Sequence, residues 1–138
     1  MHRLVYYSAN RIRGTHEDIS AQIIQILDAS RRNNRLVGLT GALMFSSGYF
    51  GQVLEGPQQA IEATFERIQQ DSRHGDVSLL EFAAADKRSF EDWSMAFVGN
   101  AQDSFAEWRN EGFDFGAVTG EVLLSKLRNL VAKKDLAA

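Results

Sequence analysis

Alternation opens the chain. In "RLVYYS" (Arg3–Ser8), Leu4, Tyr6 and Ser8 fall on one side of an extended segment and Val5 with Tyr7 on the other, in residue types that favour a strand. The period then lengthens: Ile19, Ile23, Ile26 and Leu27 recur at helical spacing. Thr15 is the expected N-cap of that helix, Glu17 and Asp18 suit its positive end, and "RRNN" with Gly38 marks its exit. "LTGALMFSSGYFGQVLEG" reads as a hairpin turning around Ser46, Ser47 and Gly48. Gly56-Pro57 stops its second strand, and Pro57 is expected at the first position of a second helix with an Ile61, Phe65, Ile68 stripe. "DSRHGD" ends that helix, "VSLLEFAAA" is a fourth strand, "DKRSFED" a loop and "WSMAFVG" a fifth strand. Strand alternation would put Trp93, Met95 and Phe97 on one face of it, with Ala96 and Val98 on the other.

The order βαββαββ places two helices on one face of an antiparallel sheet. Several strands are apolar on both faces, so the second face also needs a cover. Val122, Leu123, Leu127, Leu130 and Val131, at helical intervals, can provide it, while 101–117 is less regular, with Phe105, Trp108, Phe113 and Phe115 as expected anchors. The expected fold class is α+β, with one domain over residues 1–100. Residues 101–138 form a helical extension that covers the sheet or meets a partner or a second copy.

Composition narrows the function. The chain has 138 residues, 44% of them apolar and 24% charged, as in an ordinary globular domain. A net charge of −3 argues against nucleic acid or an anionic membrane as partner. No apolar run approaches the roughly 20 residues of a membrane span, and the N-terminal run is too short for a signal peptide, so a cytoplasmic location is expected. Cysteine is absent, which excludes disulfides, thiolate metal sites, thiol nucleophiles and a cysteine–flavin adduct. His2, His16 and His74 lack metal-ligand spacing, so no metal is expected.

Four features invite a chemical reading. Tyr6 lies in the first strand. Asn33 and Asn34 stand at the exit of the first helix, and Asp71, Arg73 and His74 gather at the end of the second. Gln52 shares a strand face with Phe50 and Leu54, whose side chains offer it no hydrogen bond. A buried amide without a partner costs roughly 1–3 kcal/mol. A tyrosine on a neighbouring strand, or a bound polar ring, could partner it.

Taken together, "RLVYYS", "ASRRNNRLVGLTGALMF", "YFGQVLEGP", "ERIQQDSRH" and "RSFEDWSM" resemble the BLUF family of blue-light sensors, in the family's order and over roughly Arg3 to Gly99. The resemblance implies a ferredoxin-like sheet with FAD, bound non-covalently, inserted between the two helices. It implies that Tyr6 is the photoactive tyrosine, giving an electron and a proton to the excited flavin, and that Gln52 stands between it and the ring. Asn33 and Asn34 would hold the pyrimidine edge, and Ile26 and Ile68 would flank the ring. Asp71, Arg73 and His74 would lie near the ribityl chain and phosphates. Trp93 and Met95 would be linked to signal output, and Tyr7 would pack on the opposite face. Gly51 departs from the bulkier residue of many relatives, either loosening the outer face or admitting another element.

The chemistry of such a set is coherent. An unperturbed phenol titrates near pH 10, so Tyr6 would hold a proton in the dark. An amide has donors at one end and an acceptor at the other, so rotation or tautomerisation of Gln52 rearranges its bonds. Each neutral bond contributes about 1 kcal/mol net, so two networks can lie close in energy, with light crossing between them and heat resetting them. The implied protein is not an enzyme but a short sensor, with a reversible red-shifted state, a downstream signalling partner in trans and a homo-oligomeric assembly. The alternative reading is a light-independent small-ligand-binding regulatory module of the same fold. An RNA-binding module would want a basic face, and an acyl-phosphate hydrolase a phosphate loop that is absent here.

Overall fold

A computed structural model describes residues 1–45, 48–99 and 118–137. The expected anchors Phe105, Trp108, Phe113 and Phe115, and Ser46-Ser47 of the hairpin turn, lie outside the described residues. The elements are β1 (His2–Asn10), α1 (His16–Val37), β2 (Thr40–Phe45), β3 (Tyr49–Gly56), α2 (Gln58–Gln70), β4 (His74–Ala84), β5 (Ala96–Gly99) and α3 (Gly120–Ala137). The sheet runs β4-β1-β3-β2-β5, antiparallel except for β5, which lies parallel to β2. The first four strands have the ferredoxin-like order of a split βαβ pair, with β5 added at the β2 edge.

Strand alternation divides the core in two. Leu4, Tyr6, Leu43, Phe50 and Leu54 pack under Ile23, Ile26 and Leu27 of α1 and Ile61 of α2. Val5, Ala42, Met44 and Val53 pack under Leu123, Leu127, Leu130 and Val131 of α3. The expected split of β1 into Leu4/Tyr6 and Val5/Tyr7 faces is therefore the one observed. Gly51 admits the close approach of α3, because a Cβ there would sit 3.3 Å from both Leu123 methyls.

Both ends of α1 follow local rules. Thr15 and Asp18 form a reciprocal capping box, satisfying orphan N–H groups of the first turn. Gly38, in the left-handed region at φ 77°, ends the helix and donates its N–H to the Asn34 carbonyl. The helix thus runs past "RRNN", so Asn33 and Asn34 are helical residues rather than exit residues; their polarity reflects what they face. Pro57 is the N-cap of α2, one position earlier than expected, with extended ψ of 136°.

The fifth strand is shorter than its pattern suggested. Only Ala96–Gly99 pairs with β2, and Trp93–Met95 form a turn whose Trp93 carbonyl accepts from Gly41 N–H at 3.1 Å. Alternation does not extend into a turn, so the expected Trp93/Met95/Phe97 face does not form. Trp93 packs with the α3-side core, whereas Met95 and Phe97 belong to the α1/α2 side.

Glu55 fastens the loop before that turn. Fully buried on β3, its carboxylate accepts from Ser89 N–H at 2.8 Å, Phe90 N–H at 2.6 Å and Thr40 Oγ1 at 3.0 Å. Arg88 adds bonds to Thr40 Oγ1, the Glu55 carbonyl and the Gly38 carbonyl. Burying a charge is tolerable only with such a complement of donors.

Candidate functional site: a cleft between two helices

Adjacent strands β1 and β3 set Tyr6 directly opposite Gln52. Tyr6 Oη donates to Gln52 Oε1, and both residues are buried. The other end of the amide, Nε2, donates to Met95 Sδ at 3.6 Å. Sulfur is a weak acceptor, so among the described residues the amide's strong donor end lacks a strong partner. The glutamine bridges a phenol and a thioether, two groups of very different acidity and acceptor strength.

This chain of contacts adjoins a cleft of about 130 Å³ lined by α1, α2, β3 and the start of β4. Ile26, Asn33 and Asn34 line it from α1, Ile68 from α2 and Gln52 from β3. Asp71, Arg73 and His74 line it at the end of α2. Eight of the eleven residues singled out in the sequence therefore meet in one cleft. Tyr6 and Met95 stand in contact with Gln52, and Trp93 belongs to the opposite core.

Helical spacing accounts for lining residues that were not singled out in the sequence. Ala29 and Ser30 lie one turn from Ile26 and from the asparagines, and Thr64 and Arg67 one turn before Ile68 and Asp71. Steps of three and four residues on from Ile26, and of four back from Ile68 and Asp71, would have found them. Glu55 and Arg31 were missed because neither belongs to a periodic stripe that points into the cleft.

Electrostatics at the cleft is sharply set. Burial, with the nearby Asp71 carboxylate, pushes the Tyr6 phenol well above its ordinary value, so it holds its proton throughout the physiological range. Arg73 grips Asp71 through Nε at 2.9 and 3.1 Å and Nη2 at 2.6 Å, holding its carboxyl below the usual carboxylate range. The same guanidinium donates to Gln22 Oε1 at 3.3 Å, tying the end of α2 to α1. Burial lowers His74 to about 4, so the ring is neutral at pH 7. It shares a 2.8 Å hydrogen bond with Ser8 Oγ and packs against Phe50, ring centres 4.4 Å apart and planes tilted by 46°.

Two β-bulges explain how the strands aim these groups. The β1–β4 register shifts on either side of Tyr6–Tyr7, and Asp76, within the second shift, adopts a positive φ of 46°. Bulges bend a strand and re-aim its side chains. Here they bring His74, at the start of β4, onto Ser8 of β1.

The lining suits a flat ring with one polar edge and an anionic tail. Two β-branched aliphatic side chains border the cleft from opposite helices, amides provide paired donors and acceptors, and Arg67 and Arg73 supply cationic forks. Asn34 Nδ2 is given to the Ser94 carbonyl at 2.7 Å, which leaves Oδ1 without a protein partner among the described residues.

Comparison with known proteins agrees with this chemistry. Residues 1–96 match the family described as BLUF, sensors of blue-light using FAD. The chain is 34% identical over 79 residues to photoactivated adenylate cyclase subunit beta of Euglena longa, a match covering 56% of this chain and only 9% of that relative. Among solved structures it resembles BlsA in its photo-activated state, with 32% identity, TM-score 0.78 and coverage of 94% of this chain and 93% of that one. It equally resembles the dark state of BlrB, a BLUF protein, at 29% identity and TM-score 0.78 over 96% of both chains.

Proposed function

The chain belongs to the BLUF family, the sensors of blue light that use FAD, and on that premise we propose that it converts light absorption into a rearrangement of the Tyr6–Gln52–Met95 contacts. When bound, FAD supplies the blue-light absorption and the oxidising power of its excited ring. Ile26 and Ile68 would border its ring, Asn33 and Asn34 would meet the polar edge, and Asp71, Arg73 and His74 would hold the ribityl and phosphate part. Tyr6 is the electron and proton donor: its phenol is protonated by burial and already points its proton at Gln52 Oε1. Gln52 is the group that re-pairs, because flipping or tautomerising its amide exchanges the atoms offered to Tyr6 and to Met95. The observation that carries this reading is the single amide bonded at one end to a buried phenol and at the other to a thioether.

The output is a reversible red-shifted state, passed to a separate partner protein by a cytoplasmic sensor that is not itself an enzyme. Residues 1–100 are the sensing domain; 101–138 serve as sheet cover and as a surface for a partner or a second copy. No helix among the described residues is long and apolar enough to cross a membrane.

The test is a dark-minus-light absorption spectrum of the purified protein with FAD, paired with size-exclusion chromatography in both states. A reversible red shift is expected. A protein that takes up no FAD, or a spectrum unmoved by blue light, would favour a light-independent ligand-binding module instead.

A further inference from the structure

Met95 reaches Gln52 from a turn, one residue ahead of the β2–β5 register, so its position depends on what holds that turn. Three consecutive carbonyls of the turn are each taken by a donor from elsewhere. Trp93 O accepts from Gly41 N–H at 3.1 Å, Ser94 O from Asn34 Nδ2 at 2.7 Å and Met95 O from Arg31 Nε at 3.0 Å. Arg31 and Asn34 are three residues apart on α1 and therefore share a face of the helix. Of the arginines at this end of α1, Arg31 is half-buried, while Arg32 and Arg35 are exposed.

We infer that Arg31 is a positioning residue for the photoswitch: its Nε–H, bonded to the Met95 carbonyl, fixes the thioether against Gln52 and so sets how quickly the dark network re-forms. The inference rests on the sensing function proposed above. Return to the dark arrangement must rebuild the Gln52 Nε2–Met95 Sδ contact, and an unclamped Met95 would have to find it from a wider set of conformations. The relevant donor is Nε, near the middle of the side chain. Glutamine places an N–H at the same distance along its stem, and leucine places none.

The experiment compares Arg31→Gln and Arg31→Leu in the full chain with FAD bound, each also combined with Met95→Leu. R31L is expected to slow thermal recovery by about tenfold, the effect of one charge-assisted hydrogen bond, with R31Q within about threefold of the parent. In the Met95→Leu background the R31L effect should vanish, because no thioether remains to be placed. Slowing of equal size in that background would overturn the inference, since Arg31 would then act on the fold and not through Met95. Recovery of R31L at the parent rate would overturn it too.

A second readout needs neither light nor flavin. The chain has three methionines, so its methionine-methyl NMR spectrum holds three signals. In flavin-free R31L the Met95 signal should shift or broaden while those of Met1 and Met44 stay in place; an unmoved Met95 signal would rule out the clamp. A parent protein without a light-induced shift would refute the sensing function, and the methyl spectrum would still decide the clamp on its own.

Discussion

The two faces of the sheet use the same strands for opposite purposes. On β3, Gln52 points toward α1 and α2, into contact with Tyr6, while its neighbours Gly51 and Val53 lie against α3. The α3 side is leucine and valine packed on valine, alanine and methionine, with the buried Glu55 at its margin. The α1/α2 side carries a phenol, two amides and an imidazole, all buried and hydrogen-bonded. Burying polar groups yields little net stability, so the closely packed face stabilises a sheet whose other face carries the buried polar groups of the cleft.

Variants should separate the two faces, beginning with the largest effect. Tyr6→Phe is expected to bind FAD and lose the reversible red shift completely; a normal shift, read by difference spectroscopy, would remove Tyr6 from its proposed role. Gln52→Leu should behave likewise. Leu127→Ala, on the opposite face, should cost about 2–5 kcal/mol in urea unfolding while leaving the size of the shift intact. Were its light response lost instead, the division of labour between the faces would be wrong.

Next in size is a dependence on pH. Unfolded, His74 takes up a proton near pH 6.5; folded, only near 4. Between those values the unfolded chain binds more protons, so stability should fall as pH drops from 6.5 toward 4, by at most ~3 kcal/mol. Thermal midpoints of flavin-free protein across this window would show it, and His74→Gln should flatten the curve. The smallest effect is expected from Gly51→Ala. Its added methyl would press on Leu123 while reducing the freedom of the unfolded chain, so denaturation should register a change within about 1 kcal/mol.

Much of this was legible in the residues because period and burial coincide. Alternation separates Tyr6 from Tyr7, and the helical stripes of α1 and α2 include Ile26 and Ile68. The local pattern misleads where a tertiary partner overrides it. "RRNN" looks like a helix exit because it is polar, yet Asn34 and Arg31 are polar in order to hold a distant turn, and the helix continues to Gly38. "WSMAFVG" alternates like a strand, but the Trp93 carbonyl is taken by Gly41 and pairing begins only at Ala96. Glu55 sits in an alternating strand as though it were a solvent-facing charge; its donors come from residues 15 to 35 positions away.

The buried carboxylate of Glu55 has a mechanical consequence. It anchors Ser89 and Phe90, so the segment that carries Met95 is moored only a few residues upstream of the switch. Displacing the loop on that side would break hydrogen bonds to a buried carboxylate, which is costly. Motion arising at Met95 would then run forward into β5, a four-residue strand at the sheet's edge, while the amides of Ser89 and Phe90 kept their protection from hydrogen exchange in the light. Three donors on one buried carboxylate make Glu55 a fixed point for the loop that leads to Met95.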